Sequence, residues 1–130
     1  MPAIKKDLYV EQGSTYRLGL QWVTLSDEPG EPAEPVDLTG YKARLQMRKA
    51  QQQPALISAS TETGEFEIDG PTGTVRLVLS PDQTNDLSIK SLKYDLEVES
   101  PDGEVDRLLE GSVTVSPNIT QMVDEPVVTE

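Results

Sequence analysis

Asp102, Glu104 and Asp106 stand at alternate positions of PDGEVD, residues 101–106. Hard cations such as calcium take clustered carboxylate and carbonyl oxygens. The segment lacks the twelve-residue ligand spacing and closing glutamate of an EF-hand, and its Pro-Asp-Gly start reads as a hairpin turn. Paired carboxylates for acid–base work are the second candidate, since the chain holds 23 Asp and Glu among 130 residues. Such work needs a carboxylate in a pocket that shifts its pKa. Here the acids fall in loops and on polar strand faces, Asp27, Glu28, Glu31 and Glu34 among them. These are positions for solvated charge.

Histidine and cysteine are both absent. The commonest neutral-pH base, the commonest transition-metal ligand and the thiolate nucleophile are therefore missing. No G-x-S-x-G nucleophile elbow occurs. Gly64, Gly70, Gly73 and Gly103 fall in turns and do not form the phosphate-cradling G-x-G-x-x-G. Asn118-Ile119-Thr120 matches a glycosylation triplet, read as accidental because MPAIKKDLYVEQG lacks the apolar core of about 7–15 residues of a secretory signal. The expectation is a non-enzymatic protein with no cofactor and no metal.

The formal net charge is −12, and the pI is near 4.3. Such a surface repels phosphate backbones and anionic headgroups, so neither nucleic acid nor membrane is expected as a partner. No stretch approaches the roughly 18 apolar residues of a membrane span. A length of 130 residues suits one domain with one core.

The elements that must position any site are short strands. Tyr16, Leu18, Leu20 and Trp22 alternate with polar or small residues, as do Tyr41, Ala43, Leu45 and Met47; Val75, Leu77 and Leu79; and Tyr94, Leu96 and Val98. A period of two is the mark of a half-buried strand. Tyr16 and Trp22 are assigned to the core on that period. SDEPGEPAEP (26–35), with three prolines, a glycine and four acids, reads as an extended acidic loop that contacts a basic patch on a partner or solvates the fold. SPDQTNDL (80–87) is the one helical piece, with Ser80 as cap and Pro81 in the first turn. Seven to eight short strands separated by turns, with one short helical turn near 81–87, suggest an all-β antiparallel sandwich or barrel, and an immunoglobulin-like antiparallel β-sandwich is the form expected. Residues 1–7 are expected to be a flexible lead-in, 8–116 the sandwich, and 117–130 a tail ordered by a partner.

Three basic residues, Lys42, Arg44 and Arg48, share the polar side of YKARLQMR, whereas Asp95, Glu97 and Glu99 share that of YDLEVE. Facing opposite charges stabilise strand pairing by about 0.2–1 kcal/mol each. The two runs stand third and sixth in strand order, and those strands are neighbours in an immunoglobulin sandwich. The six residues thus form an internal charge ladder, or else the basic row docks an acidic partner. Tyr94, two residues before Leu96, has the position of a tyrosine corner, with Leu96 in place of the usual cysteine.

YVEQGSTYRLGLQW, VDLTGYKARLQMRK, GTVRLVLS and KYDLEVESPDGEVDRLLEGSVTVSP together resemble the immunoglobulin-like module of tailed-bacteriophage structural proteins, such as the N-terminal domain of baseplate upper proteins. The resemblance spans most of residues 8–117. It implies a virion part, made in the host cytoplasm, that docks on tail, neck, baseplate or capsid subunits, with fibres among its partners and many copies in a symmetric assembly. An adaptor at tail, neck or baseplate is the first expectation and a capsid decoration protein the second. A receptor- or glycan-binding module is an alternative of another class. The contacts expected of such a part lie in Asp27, Glu28, Glu31 and Glu34 of the acidic loop and in Ile119, Met122 and Val123 of the tail.

Overall fold

The computed structural model describes residues 3–25, 27–87, 91–117 and 119. Met122 and Val123 lie outside the described residues. Eleven strands and one helix occur among those described: β1 (Ile4–Lys5), β2 (Leu8–Glu11), β3 (Tyr16–Gln21), β4 (Val23–Thr24), β5 (Glu34–Pro35), β6 (Lys42–Arg48), β7 (Ala55–Ser60), β8 (Phe66–Asp69), β9 (Thr74–Leu79), α1 (Pro81–Asn85), β10 (Ser91–Glu99) and β11 (Val105–Ser116).

A six-stranded sheet runs β1-β11-β10-β6-β7, with β2 also paired to β11. A second sheet runs β3-β9-β8, and β4 and β5 form a separate two-stranded ribbon. Leucines, valines and isoleucines from both sheets bury into one cluster, with Tyr16 and Trp22 packed against it. The molecule is therefore a β-sandwich. Its main strands, β2, β3, β6, β7, β8, β9, β10 and β11, divide between the sheets in immunoglobulin order: β11, β10 and β6 beside one another, and β3, β9 and β8 opposite.

The expected count of seven to eight strands matches these main strands and misses the short ones. β1, β4 and β5 have two residues each, too few for a period of two to register. β1 also corrects the flexible lead-in. Ile4 and Lys5 pair in parallel with Leu109 and Glu110, in the same register by which Leu8–Glu11 pair with Val113–Ser116. The run 8–23, continuous in its apolar pattern, is broken at Gln12–Thr15, where the chain crosses from the large sheet to the small one.

That crossing is clamped by α1. Ser80 Oγ accepts from the Gln83 amide, and Gln83 Oε1 accepts from the Ser80 amide, giving a reciprocal capping box with Pro81 in the first turn. Thr84, fully buried, donates its hydroxyl to Ser14 O at 2.8 Å. Gln12 Nε2 donates to Asn85 O.

The register between β6 and β10 is set by burial first. Ala43, Leu45 and Met47 face the core from β6, as do Leu92, Tyr94, Leu96 and Val98 from β10. Each large apolar side chain gains about 1.5–3 kcal/mol from burial. A one-residue slip would turn the whole row to solvent. A cross-strand ion pair is worth about 0.2–1 kcal/mol, so the charges refine a register that the core already dictates.

Candidate functional site

The outer face of the large sheet carries the charges. β10 pairs antiparallel with β6, setting Glu99 across from Lys42, Glu97 from Arg44, Asp95 from Gln46 and Lys93 from Arg48. Arg44 donates from Nε to Glu97 at 2.8 Å and from NH1 to Glu99 at 3.1 Å. These charge-assisted bonds, Glu97 first, push the guanidinium pKa up. Lys42 turns instead to Glu62, at 3.2 Å. Arg48 does not join the ladder. It lies across from Lys93 and spends its guanidinium on Gln46 Oε1 and on Gln53 O, the latter at 2.8 Å.

Asp95 finds its cation on the other side, from Arg107 of β11 at 3.6 Å, and Arg107 also reaches Glu110 at 3.1 Å. The acid row of β10 therefore runs between two arginines, one on each neighbouring strand. Simple alternation hides Arg107. Counted in steps of two from Val105, it shares the parity of Leu109, Val113 and Val115 and would point inward. A bulge changes that: Leu96 pairs with Leu109 but Glu97 with Arg107, leaving Leu108 as the extra residue. Leu108 and Leu109 both bury, and Arg107 is turned out.

Asp95 sits directly across from Glu110. Burial, then the neighbouring Glu97, raises its pKa against the opposing pull of Arg107. A carboxyl whose folded pKa is raised binds its proton more readily in the native chain, so folding gains stability as pH falls from neutrality toward the ordinary aspartate range. Asp95→Asn is therefore expected to melt at or above the temperature of the native chain at pH 7, whereas Glu97→Gln melts below it. Thermal denaturation of the two variants side by side checks this.

A shallow groove of about 470 Å³ opens on this face, with Arg48, Lys93, Asp95, Glu97 and Arg107 among its lining residues. Asp95 is tied to Arg107 and Glu97 to Arg44. Among the described residues Arg48 and Lys93 meet no carboxylate within 4 Å; Lys93 Nζ has Ser112 Oγ at 3.5 Å. Like charges in cross-strand register are mildly destabilising. Among the described residues, then, the groove holds two cations that make no ion pair within 4 Å, although Arg48 also draws on the Asp95 carboxylate beside it.

Residues 88–90, on the upstream side where a tyrosine corner would find its partner, lie outside the described residues. The Tyr94 hydroxyl donates to Lys6 O at 2.6 Å, fastening β10 to the junction of β1 and β2. At that junction Lys6 N donates to Glu110 O, and Asp7 Oδ1 accepts from the Ser112 amide. The side chain of Asp7 thereby takes the place of a backbone acceptor where the edge strand lifts off. Burial, then nearby Tyr16 and Asp7, pushes the Tyr94 phenol up to about 12. The unfolded chain ionises this phenol near pH 10, so its contribution is fully present below pH 10 and is lost as pH rises toward 12. Tyr94→Phe is expected to cost about 0.5–1.5 kcal/mol near neutrality. It is also expected to flatten the fall of melting temperature between pH 10 and 12, leaving the smaller share of Tyr16, whose pKa burial also raises.

The acidic segment is more ordered than a loop. Val23 pairs with Pro35 and Thr24 with Glu34, so Asp27, Glu28, Glu31 and Glu34 ride on an exposed ribbon that continues from β3. Proline is tolerated there because the strand is short and at an edge. Ile119 is 99% exposed. PDGEVD closes as a hairpin: Gly103 N donates to Ser100 O, and Ser100 N to Glu104 O. Among the described residues no three His, Cys, Asp or Glu side chains converge to hold a metal ion.

Compared with protein-family models and with curated proteins, the chain finds no match among either.

Proposed function

We propose that the chain is a non-enzymatic structural subunit of a tailed-bacteriophage virion, an adaptor at the tail, neck or baseplate that docks neighbouring virion proteins. One observation carries the reading. The four segments that resemble the phage modules supply β2 and β3, β6, β9, and the β10–β11 hairpin, the framework strands of an immunoglobulin-order sandwich. Such a body is a rigid plug, and the protruding acidic ribbon and charged sheet face are its contact surfaces. Multivalent display in a symmetric particle would make individually weak contacts sufficient.

The test is made on purified virions of the phage that encodes the chain. Antibody labelling in electron micrographs, with quantitative mass spectrometry, is expected to place it at the tail, neck or baseplate in a copy number on the order of tens, as cyclic symmetry implies. Labelling over the head in hundreds of copies would assign it to capsid decoration instead. Specific capture on a glycan array would favour the receptor-binding alternative. Absence from the virion would overturn the proposal.

A further inference from the structure

Two complementary surfaces lie on different layers of the sandwich. The groove with Arg48 and Lys93 is on the outer face of the large sheet. The acidic ribbon extends from β3 in the small sheet. No Lys or Arg occurs between Arg17 and Lys42, so the ribbon carries Asp27, Glu28, Glu31 and Glu34 without an intervening cation. It is narrow, two strands wide, and Pro29, Pro32 and Pro35 restrict its backbone. Stiffness of this kind lowers the ordering cost of docking. Among the described residues Arg48 and Lys93 make no ion pair within 4 Å, with Asp95 the one carboxylate that draws on Arg48, and the ribbon offers the exposed carboxylates of Asp27 and Glu34.

We propose that copies of this chain associate head to tail, the acidic ribbon of one seated in the Arg48–Lys93 groove of the next. The two surfaces are different patches, so the contact is heterologous and generates a ring or an open string according to the rotation it imposes. A net charge of −12 per copy opposes association at long range. At about 0.15 M salt the screening length is roughly 8 Å, which suppresses that repulsion while leaving touching charges attractive. Association is therefore expected to be strongest near physiological salt and weaker both at very low salt and at about 1 M.

The inference does not rest on the virion reading, because it is measured on the purified chain. Sedimentation velocity over a concentration series is expected to show a weight-average mass rising above that of one chain. Two double variants separate the surfaces: Arg48→Glu with Lys93→Glu, and Asp27→Lys with Glu34→Lys. Each alone is expected to lose association at least tenfold, because the first turns the groove acidic like the ribbon and the second leaves the ribbon with no net charge to offer the groove. Mixed in equal amounts, they are expected to regain it. Circular dichroism of each variant verifies that it is folded. A native chain that stays monomeric at all concentrations and salts would overturn the proposal, as would folded variants that associate as the native chain does. Loss without recovery on mixing would overturn it too.

Discussion

Gly111→Ala is expected to destabilise the fold by about 2–4 kcal/mol and to lower the melting temperature by roughly 10 °C. A Cβ at this position would lie 2.9 Å from Lys6 C, closer still to Lys6 O, and 3.2 Å from Asp7 Oδ1. The first two are backbone atoms of the β1–β2 junction and cannot swing aside as a flexible side-chain end could. Gly111 is also the cross-strand partner of Tyr94. The same few ångströms therefore hold the Tyr94–Lys6, Lys6–Glu110 and Asp7–Ser112 hydrogen bonds. Overpacking alone costs about 1–3 kcal/mol, and weakening these bonds adds to it. Hydrogen exchange is expected to show the Lys6 and Ser112 amides losing protection while the β6–β10 ladder keeps it. Gly19→Ala is the control, since an added Cβ there meets nothing within 4 Å. A Gly111→Ala variant as stable as the native chain would show that β1 and β2 are not seated as described.

Reversal of Arg44 has the second large effect. Arg44→Glu places a carboxylate between Glu97 and Glu99 and turns two attractions into two repulsions. The three side chains are between 28% and 43% exposed, so solvent screening holds the expected loss to about 1–2 kcal/mol. Adding Glu97→Arg is expected to recover much of that loss, because the facing pair is restored with its ends exchanged. At about 1 M salt, where the screening length falls to roughly 3 Å, the loss is expected to shrink. Thermal melts of the two single variants and the double variant form a cycle whose coupling term isolates the pair. A coupling near zero would mean that the charges are ornamental to strand pairing.

The framework strands were legible because their periodicity and burial agree. Ala43, Leu45 and Met47 alternate with polar residues, and no other register buries all three. The helix was legible from Ser80 and Pro81, whose cap chemistry is local. The partnership of β6 with β10 was accessible through the rule that third and sixth strands adjoin, together with the opposite signs of their outer rows.

What escaped depends on tertiary placement. Nothing local tells Arg48 that Lys93 will lie across from it, because cross-strand register is fixed far along the chain. Arg107 was hidden by a bulge that reverses parity inside a regular-looking strand. Its trace in the sequence is the pair Leu108-Leu109, since two adjacent large apolar residues can both be buried only where alternation breaks. The hydroxyl of Tyr94 meets a carbonyl 88 residues away, and that partner could not be chosen before the parallel pairing of the N-terminal strands was known.

Strand pairing is the point on which the account turns, and long-range nuclear Overhauser contacts in the native chain measure it directly. The expected set joins Leu45 to Leu96, Ala43 to Val98 and Arg44 to Glu97, together with contacts from Tyr94 to Gly111. Contacts shifted by one residue along β10, or linking β6 to the β3-β9-β8 sheet as a neighbouring strand, would contradict the sandwich order and with it both proposed contact surfaces.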